Sequence, residues 1–288
     1  MTDFSTRYHT ASIDGLEVFY REAGNRANPT LLLLHGFPSS SHMFRNLIDS
    51  LSDAYHLVAP DHIGFGRSSM PSVNQFTYSF DRLTEITEKL IDHLGLQRFG
   101  IYIHDYGAPI GLRIASARPE RIIAIITQSG NAYMEGFTPF WDRLFAHAKD
   151  RAANEDSVRE YFTLKTTMWQ YTHGVAADRL DRIAPETWLL DQAGLDRKGN
   201  DAIQLQLFWD YQFNLGGYPK FQEYFRTHQP PLLVTWGKND EIFGAPGAEA
   251  YRRDLPNGEF HLLDAGHFAL ETHGEEISGY IRDFLARL

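Results

Sequence analysis

Residues 101–111, IYIHDYGAPIG, begin as an apolar run, tighten at Asp105-Tyr106-Gly107, and continue as the start of a helix. A strand that turns this sharply into a helix lifts the side chain at its apex clear of the backbone, a setting suited to a nucleophile. Gly107 gives the turn its room. The apex residue is an acid, Asp105, and no serine occupies a competing turn. Ser129, in TQSGN, follows an apolar run but lacks the flanking small residues. A short acid at a strand end otherwise serves to cap the following helix. The choice between the two roles depends on what surrounds it.

Upstream, LEVFYREAG from Leu16, PTLLLLHG from Pro29 and YHLVAPD from Tyr55 have the apolar content of strands, the second continuous enough to be buried on both faces. Tyr78 to Leu94 carries Leu83, Ile86, Thr87, Leu90 and Leu94 at helical spacing, with Gly95 as a stop signal. Downstream, a helix is expected from about Ala108 to Ala117 and a strand over 121–128. Alternating strands and helices imply a mostly parallel sheet flanked by helices, with right-handed crossovers. From Asn131 to Arg226 the pattern changes to aromatic-rich helical spacing without a convincing strand. Strand signals return at PPLLVTWG from Pro230 and FHLLDAG from Phe260, and a last helix is expected from about Glu275 to Leu288. The expected organisation is an α/β core over 1–130 and 229–288, with an inserted α-helical cap over 131–228.

The chain has 288 residues, 43% hydrophobic and 22% charged, as expected of a folded globular protein. Its 27 basic against 37 acidic residues give a formal charge of -10, which disfavours nucleic acid and anionic membrane surfaces as partners. There is no cysteine, so disulfides, thiolate metal sites and a cysteine nucleophile are excluded. MTDFSTRYHT lacks the basic flank and apolar core of a signal peptide, and the run around LLLL is only strand-length. A cytoplasmic location is the resulting expectation.

Ligands of parallel α/β sheets sit at the carboxyl ends of the strands. His35, Asp61, Asp105, Glu135, Asp240 and His267 fall there or a few residues beyond, in the chain order nucleophile, acid, histidine. With HGFP at 35–38, DHIGFGRS at 61–68, HDYG at 104–107, WGKND at 236–240 and GHF at 266–268, the sequence resembles the epoxide hydrolase and haloalkane dehalogenase branch of the α/β-hydrolases. These landmarks span nearly the whole chain outside the insert. The resemblance implies an α/β-hydrolase fold, with Asp105 as nucleophile, His267 as base, and an oxyanion hole from the backbone N–H groups of Phe37 and Tyr106.

A carboxylate nucleophile selects the reaction. On an ester carbonyl it would form a reactive anhydride, whereas on a saturated carbon it forms a stable alkyl ester that water then cleaves. Asp105, His267 and water suffice, so no metal and no organic cofactor is expected. Two acids are open as the partner of His267: Asp240, at the commoner position, and Glu135, in NAYMEG. Dehalogenases stabilise halide with a tryptophan after the nucleophile and an asparagine in the turn, and here those positions hold Tyr106 and Phe37. A cap tryptophan, Trp169 or Trp209, remains as a possible donor and pocket residue. Epoxide hydrolases protonate the ring oxygen from cap tyrosines. Tyr211, in DYQFN, resembles one of these, and Tyr171 in WQYTHG is the reading for the other. His35 and His104 are expected beside the substrate pocket. The expected activity is epoxide hydrolysis on a small, fairly apolar electrophile, by a monomer or homodimer. Haloalkane dehalogenation is the alternative, and an esterase or a non-catalytic ligand-binding homologue is further off.

Overall fold

The computed structural model describes residues 4–288; the first three residues of the stretch read for a leader lie outside them. Eight strands form one sheet: β1 (Arg7–Ile13), β2 (Leu16–Ala23), β3 (Thr30–Leu34), β4 (His56–Pro60), β5 (Phe99–His104), β6 (Ile122–Gln128), β7 (Leu232–Gly237) and β8 (Glu259–Leu263). Their spatial order is β1-β2-β4-β3-β5-β6-β7-β8, antiparallel at β1/β2 and β2/β4 and parallel elsewhere. From β3 the chain goes to one side to make β4, then returns to the other side to make β5. That reversal opens a crevice at the carboxyl ends of β3 and β5, the place where such sheets bind ligands. Leu34 pairs with Ile103 there, so the 35–38 turn and the Asp105 turn leave the sheet side by side.

Every residue of β3, β4, β5 and β7 is buried, as a sheet covered on both faces requires. The two-residue period divides the core. Leu32, Leu34, Ile101, Ile103 and Val234 pack on one face, and Leu31, Leu33, Tyr102 and Leu233 on the other. The first face is covered by α2 (Phe80–His93) and α3 (Gly107–Ala117), the second by α1 (Arg45–Leu51) and α11 (Ala269–Leu285); α10 (Ala245–Ala250) precedes β8. Helix α2 presents Leu83, Ile86, Leu90 and Ile91 inward. Its start is fixed by Ser79, whose hydroxyl accepts the Arg82 N–H, and its end by Gly95 at φ 69°.

Between β6 and β7 the described residues form six α-helices and short 3-10 turns but no strand: α4 (Asp142–Lys149), α5 (Arg151–Arg159), α6 (Leu164–Thr172), α7 (Glu186–Leu195), α8 (Asn200–Asp210) and α9 (Gln212–His228). This helical cap is tied to the core by named polar contacts. Asp210 accepts the Phe80 N–H at 2.8 Å, a carboxylate at the amino end of α2, and Arg197 donates to the carbonyls of Gly66 and Gly64. No helix among the described residues is long and apolar enough to cross a membrane.

The sequence reading missed β1, α1 and α10. Strand β1 lies at the sheet edge and is mostly exposed, so RYHTASI carries little apolar alternation. Its signal is the Asp14-Gly15 turn, with φ of 51° and 77°, the backbone of a two-residue hairpin. Helix α11 begins six residues before Glu275 because it continues across a non-helical His273, at φ -128°.

Candidate active site

Asp105 adopts φ 49°, a left-handed conformation that aspartate tolerates better than most residues. Its Oδ1 accepts two backbone N–H groups, from Phe37 and Tyr106, at 2.7 Å each. The carboxylate is 4% exposed. Burial pushes its pKa up to about 6, against the opposing effects of the His267 charge and the two N–H donors. Close approach of the two turns depends on Gly36, where an added Cβ would stand 2.3 Å from the Asp105 Cβ. Gly36→Ala is therefore expected to displace the carboxylate and cut turnover by about 100-fold or more, measured with initial rates beside a thermal melt. A parent-like rate in the folded variant would show that the 35–38 turn does not set the geometry.

His267 follows β8 and turns its Nδ1 to Asp240 Oδ2 at 2.9 Å, while its Nε2 is buried and meets no hydrogen-bonding partner among the described residues. Burial disfavours the imidazolium, but the charges of Asp240 and Asp105 outweigh it and leave the His267 pKa raised. Asp240 is itself fixed, its Oδ1 accepting the N–H groups of Ile242 and Phe243 at 2.8 and 3.1 Å. The other acid, Glu135, is nearly half exposed and ion-paired with Arg253 at 2.8 Å, so the structure does not bring it to the histidine.

Several of the expected site residues have partners of their own. Tyr171 donates its hydroxyl to Asp191 at 2.6 Å and stacks flat on Phe268 at 4.0 Å, so its proton is already engaged by a carboxylate. Trp209 lies under the Arg151 guanidinium and edge-on to Phe213, on the outer side of α8. Its neighbour Phe208, about 100° round the helix, points inward and packs 4.9 Å from Phe37. Trp169 is half-buried, with its ring against Phe140 and His173 within the cap. His35 and His104 are fully buried. His35 bonds the Gly36 carbonyl and accepts the His62 N–H, and burial lowers its pKa to about 4. His104 bonds the Gln128 carbonyl. Asp61 accepts the Ser41 and Arg67 N–H groups and shapes the loop beneath.

Tyr211 does sit over the Asp105 turn, its ring 6.0 Å from Tyr106, 5.4 Å from Phe80 and 4.4 Å from Trp141. Its hydroxyl lies 3.5 Å from that of Tyr218, and Asn131 Nδ2 donates to Tyr218 at 3.3 Å. Burial, reinforced by the Asp105 charge, keeps both phenols protonated. Tyr218 and Asn131 escaped the sequence reading. The available signal was spacing, because residues seven apart on a helix share a face. Among the described residues no group of three or more His, Asp and Glu side chains is placed to hold a metal ion.

Strand order, elbow, and a histidine and an acid carried on the loops after β8 and β7 define a class, and the profile of the family described as "alpha/beta hydrolase fold" matches residues 29–274. The chain belongs to that family and is a hydrolase of the α/β-hydrolase fold, as its sequence resemblance implies. It is 44% identical over 279 residues to "Uncharacterized hydrolase YNR064C" of Saccharomyces cerevisiae, covering 95% of each chain. It is 26% identical to "Epoxide hydrolase 3" of Xenopus tropicalis, over 94% of this chain and 75% of that one. Among solved structures, the haloalkane dehalogenase DatA of Agrobacterium tumefaciens C58 superposes with a TM-score of 0.79 at 21% identity, covering 98% of this chain and 97% of that one, a likeness of fold.

Proposed function

We propose that this hydrolase opens epoxides through an ester on Asp105, and that Tyr211 and Tyr218 supply the acid. The observation that carries this reading is the convergence of the two buried phenols over the nucleophile turn. Asn131 Nδ2 donates to the Tyr218 oxygen, and of the two phenols, 3.5 Å apart, either can be the donor; in this reading Tyr218 directs its proton to Tyr211. That leaves the Tyr211 proton for the substrate. Trp141, the indole packed on Tyr211, donates to the Ile242 carbonyl at 2.8 Å, and Trp236 donates to Phe243, so neither is a free halide donor. The relative named as an epoxide hydrolase points the same way.

Asp105 Oδ2 attacks one epoxide carbon, the C–O bond breaks, and the ring oxygen takes the electron pair and the Tyr211 proton. Water then adds to the ester carbonyl while His267 Nε2 takes its proton. The oxyanion forms at the oxygen already held by the Phe37 and Tyr106 N–H groups. Collapse releases the diol and the carboxylate, and the His267 proton returns the phenol pair to its neutral form. The inferred substrate is small and apolar near the reacting carbon, since Phe37, Phe162 and Phe208 pack together beside the turn.

Diol formation from an alkyl and an aryl epoxide, run beside halide release from bromoalkanes, tests the reading. Tyr211→Phe and Tyr218→Phe should each slow epoxide opening by about 100-fold, with thermal stability nearly unchanged. Parent-like opening by both variants would remove the pair from the mechanism. Bromoalkane turnover without epoxide turnover would make the enzyme a dehalogenase.

A further inference from the structure

Ser129 stands at the carboxyl end of β6, fully buried, at φ 54°. The chemistry proposed above leaves it without a role, yet its hydroxyl donates to Asp240 Oδ2 at 2.7 Å. That oxygen also faces His267 Nδ1 at 2.9 Å. The serine and the imidazole therefore share one carboxylate oxygen, while the other oxygen takes the Ile242 and Phe243 N–H groups. The preceding residue serves the same histidine: Gln128 Nε2 donates to the His267 carbonyl at 3.0 Å, and Tyr102 donates to Gln128 Oε1.

We propose that Ser129 is a positioning residue that limits how strongly Asp240 holds the His267 imidazolium, by donating to the oxygen the two share. A hydroxyl bonded to a carboxylate disperses its charge and lowers its basicity, as hydrogen bonds to an ionised acid do. Less charge on Oδ2 means a weaker hold on the protonated ring. The other titratable groups facing His267 are Asp105, whose charge also favours the imidazolium, and His104, whose ring lies 4.6 Å away and is kept neutral by burial. None of them touches Asp240 Oδ2 as Ser129 does. The serine would thus hold the base in the range where it is neutral at working pH and still accepts a proton from water.

The sign follows directly. Removing the hydroxyl strengthens the pull of Asp240, so His267 keeps its proton to higher pH. Hydrolysis of the ester needs the neutral ring, so its acid limb moves up. Ser129→Gly removes the donor and suits the left-handed backbone, so it should fold where a bulkier residue strains. Ser129→Cys keeps the shape with a weaker donor.

Proton NMR of the His267 ring across pH, in the ligand-free enzyme, is the primary readout and needs no substrate. The Gly variant is expected to raise the midpoint by about one pH unit and the Cys variant by less, the order of a lost and a weakened hydrogen bond. In epoxide hydrolysis, the second step should then be roughly tenfold slower on the acid side and near parental above the limb. A merely structural serine predicts lower melting temperature with an unmoved midpoint. An unmoved midpoint in either folded variant, or equal shifts in both, overturns the proposal. The kinetic arm rests on the epoxide hydrolase reading: a moved midpoint in an enzyme that turns over no epoxide refutes that reading and leaves this one standing.

Discussion

Replacing His267 by glutamine is expected to halt the enzyme after one bond-forming event, with the substrate left attached to Asp105. Attack on a saturated carbon needs only the carboxylate, already ionised and held by two N–H groups. Ester hydrolysis needs a base for the incoming water, and His267 is the group placed to provide it. Steady turnover should fall by about 10³–10⁴-fold, while the protein gains the full mass of the opened epoxide. Peptide mapping should place that mass on Asp105. The pH of the experiment matters. The Asp105 pKa is pushed up to about 6 by burial even with the His267 charge lowering it, so losing that charge raises it further. Trapping belongs at about pH 8, and should weaken as pH falls and the nucleophile protonates. Asp105→Asn must not gain the mass. A serine-type hydrolase predicts the reverse, because loss of the base would suppress acylation itself. An adduct on any other side chain, or none with a substrate the parent consumes, would falsify the aspartate nucleophile.

The parts of this arrangement that were legible in the sequence are those set by backbone geometry at strand ends. Asp105, His267, Phe37 and Tyr106 sit on turns whose glycines, Gly36, Gly107 and Gly266, leave room that a Cβ would fill with backbone or with the nucleophile. Such constraints are local, so they appear as short motifs. The cap is different. Whether Tyr171, Tyr211 or Tyr218 reaches the nucleophile depends on how six helices pack, and each of the three is fully buried whichever way its hydroxyl points. Burial thus marks all three and separates none. Trp209 and Phe208 make the same point, being adjacent and aromatic yet about 100° apart on one helix, one against Phe37 and the other under Arg151. Ser129 was visible as a residue after a strand, but its meaning lies in a contact with a side chain 111 positions away. Edge strand β1 was hidden for the converse reason: exposure removes the apolar pattern while the pairing remains.

Asp240→Asn is expected to cost about 10⁴-fold in turnover, as much as losing the base itself. The amide keeps one oxygen for the Ile242 and Phe243 N–H groups, so the loop after β7 should hold its shape. Its nitrogen would then face His267 Nδ1, and two donors cannot bond each other. The ring must turn its lone pair to Nδ1 and place its proton on Nε2, where it no longer accepts one from water. The ester on Asp105 should therefore form and persist, giving a burst of one equivalent followed by slow release. Because the Asp240 charge helps raise the His267 pKa, residual activity should also carry its acid limb to lower pH, opposite to the shift expected for Ser129→Gly. Glu135→Gln is the control. It removes an exposed ion pair with Arg253, worth roughly 0–1 kcal/mol, and leaves the histidine untouched. Its turnover and pH profile should match the parent. If Glu135→Gln were the slow variant and Asp240→Asn ran at the parent rate, the orienting acid would belong to the loop after β6, and the cap and that loop would have to close on His267 during the reaction.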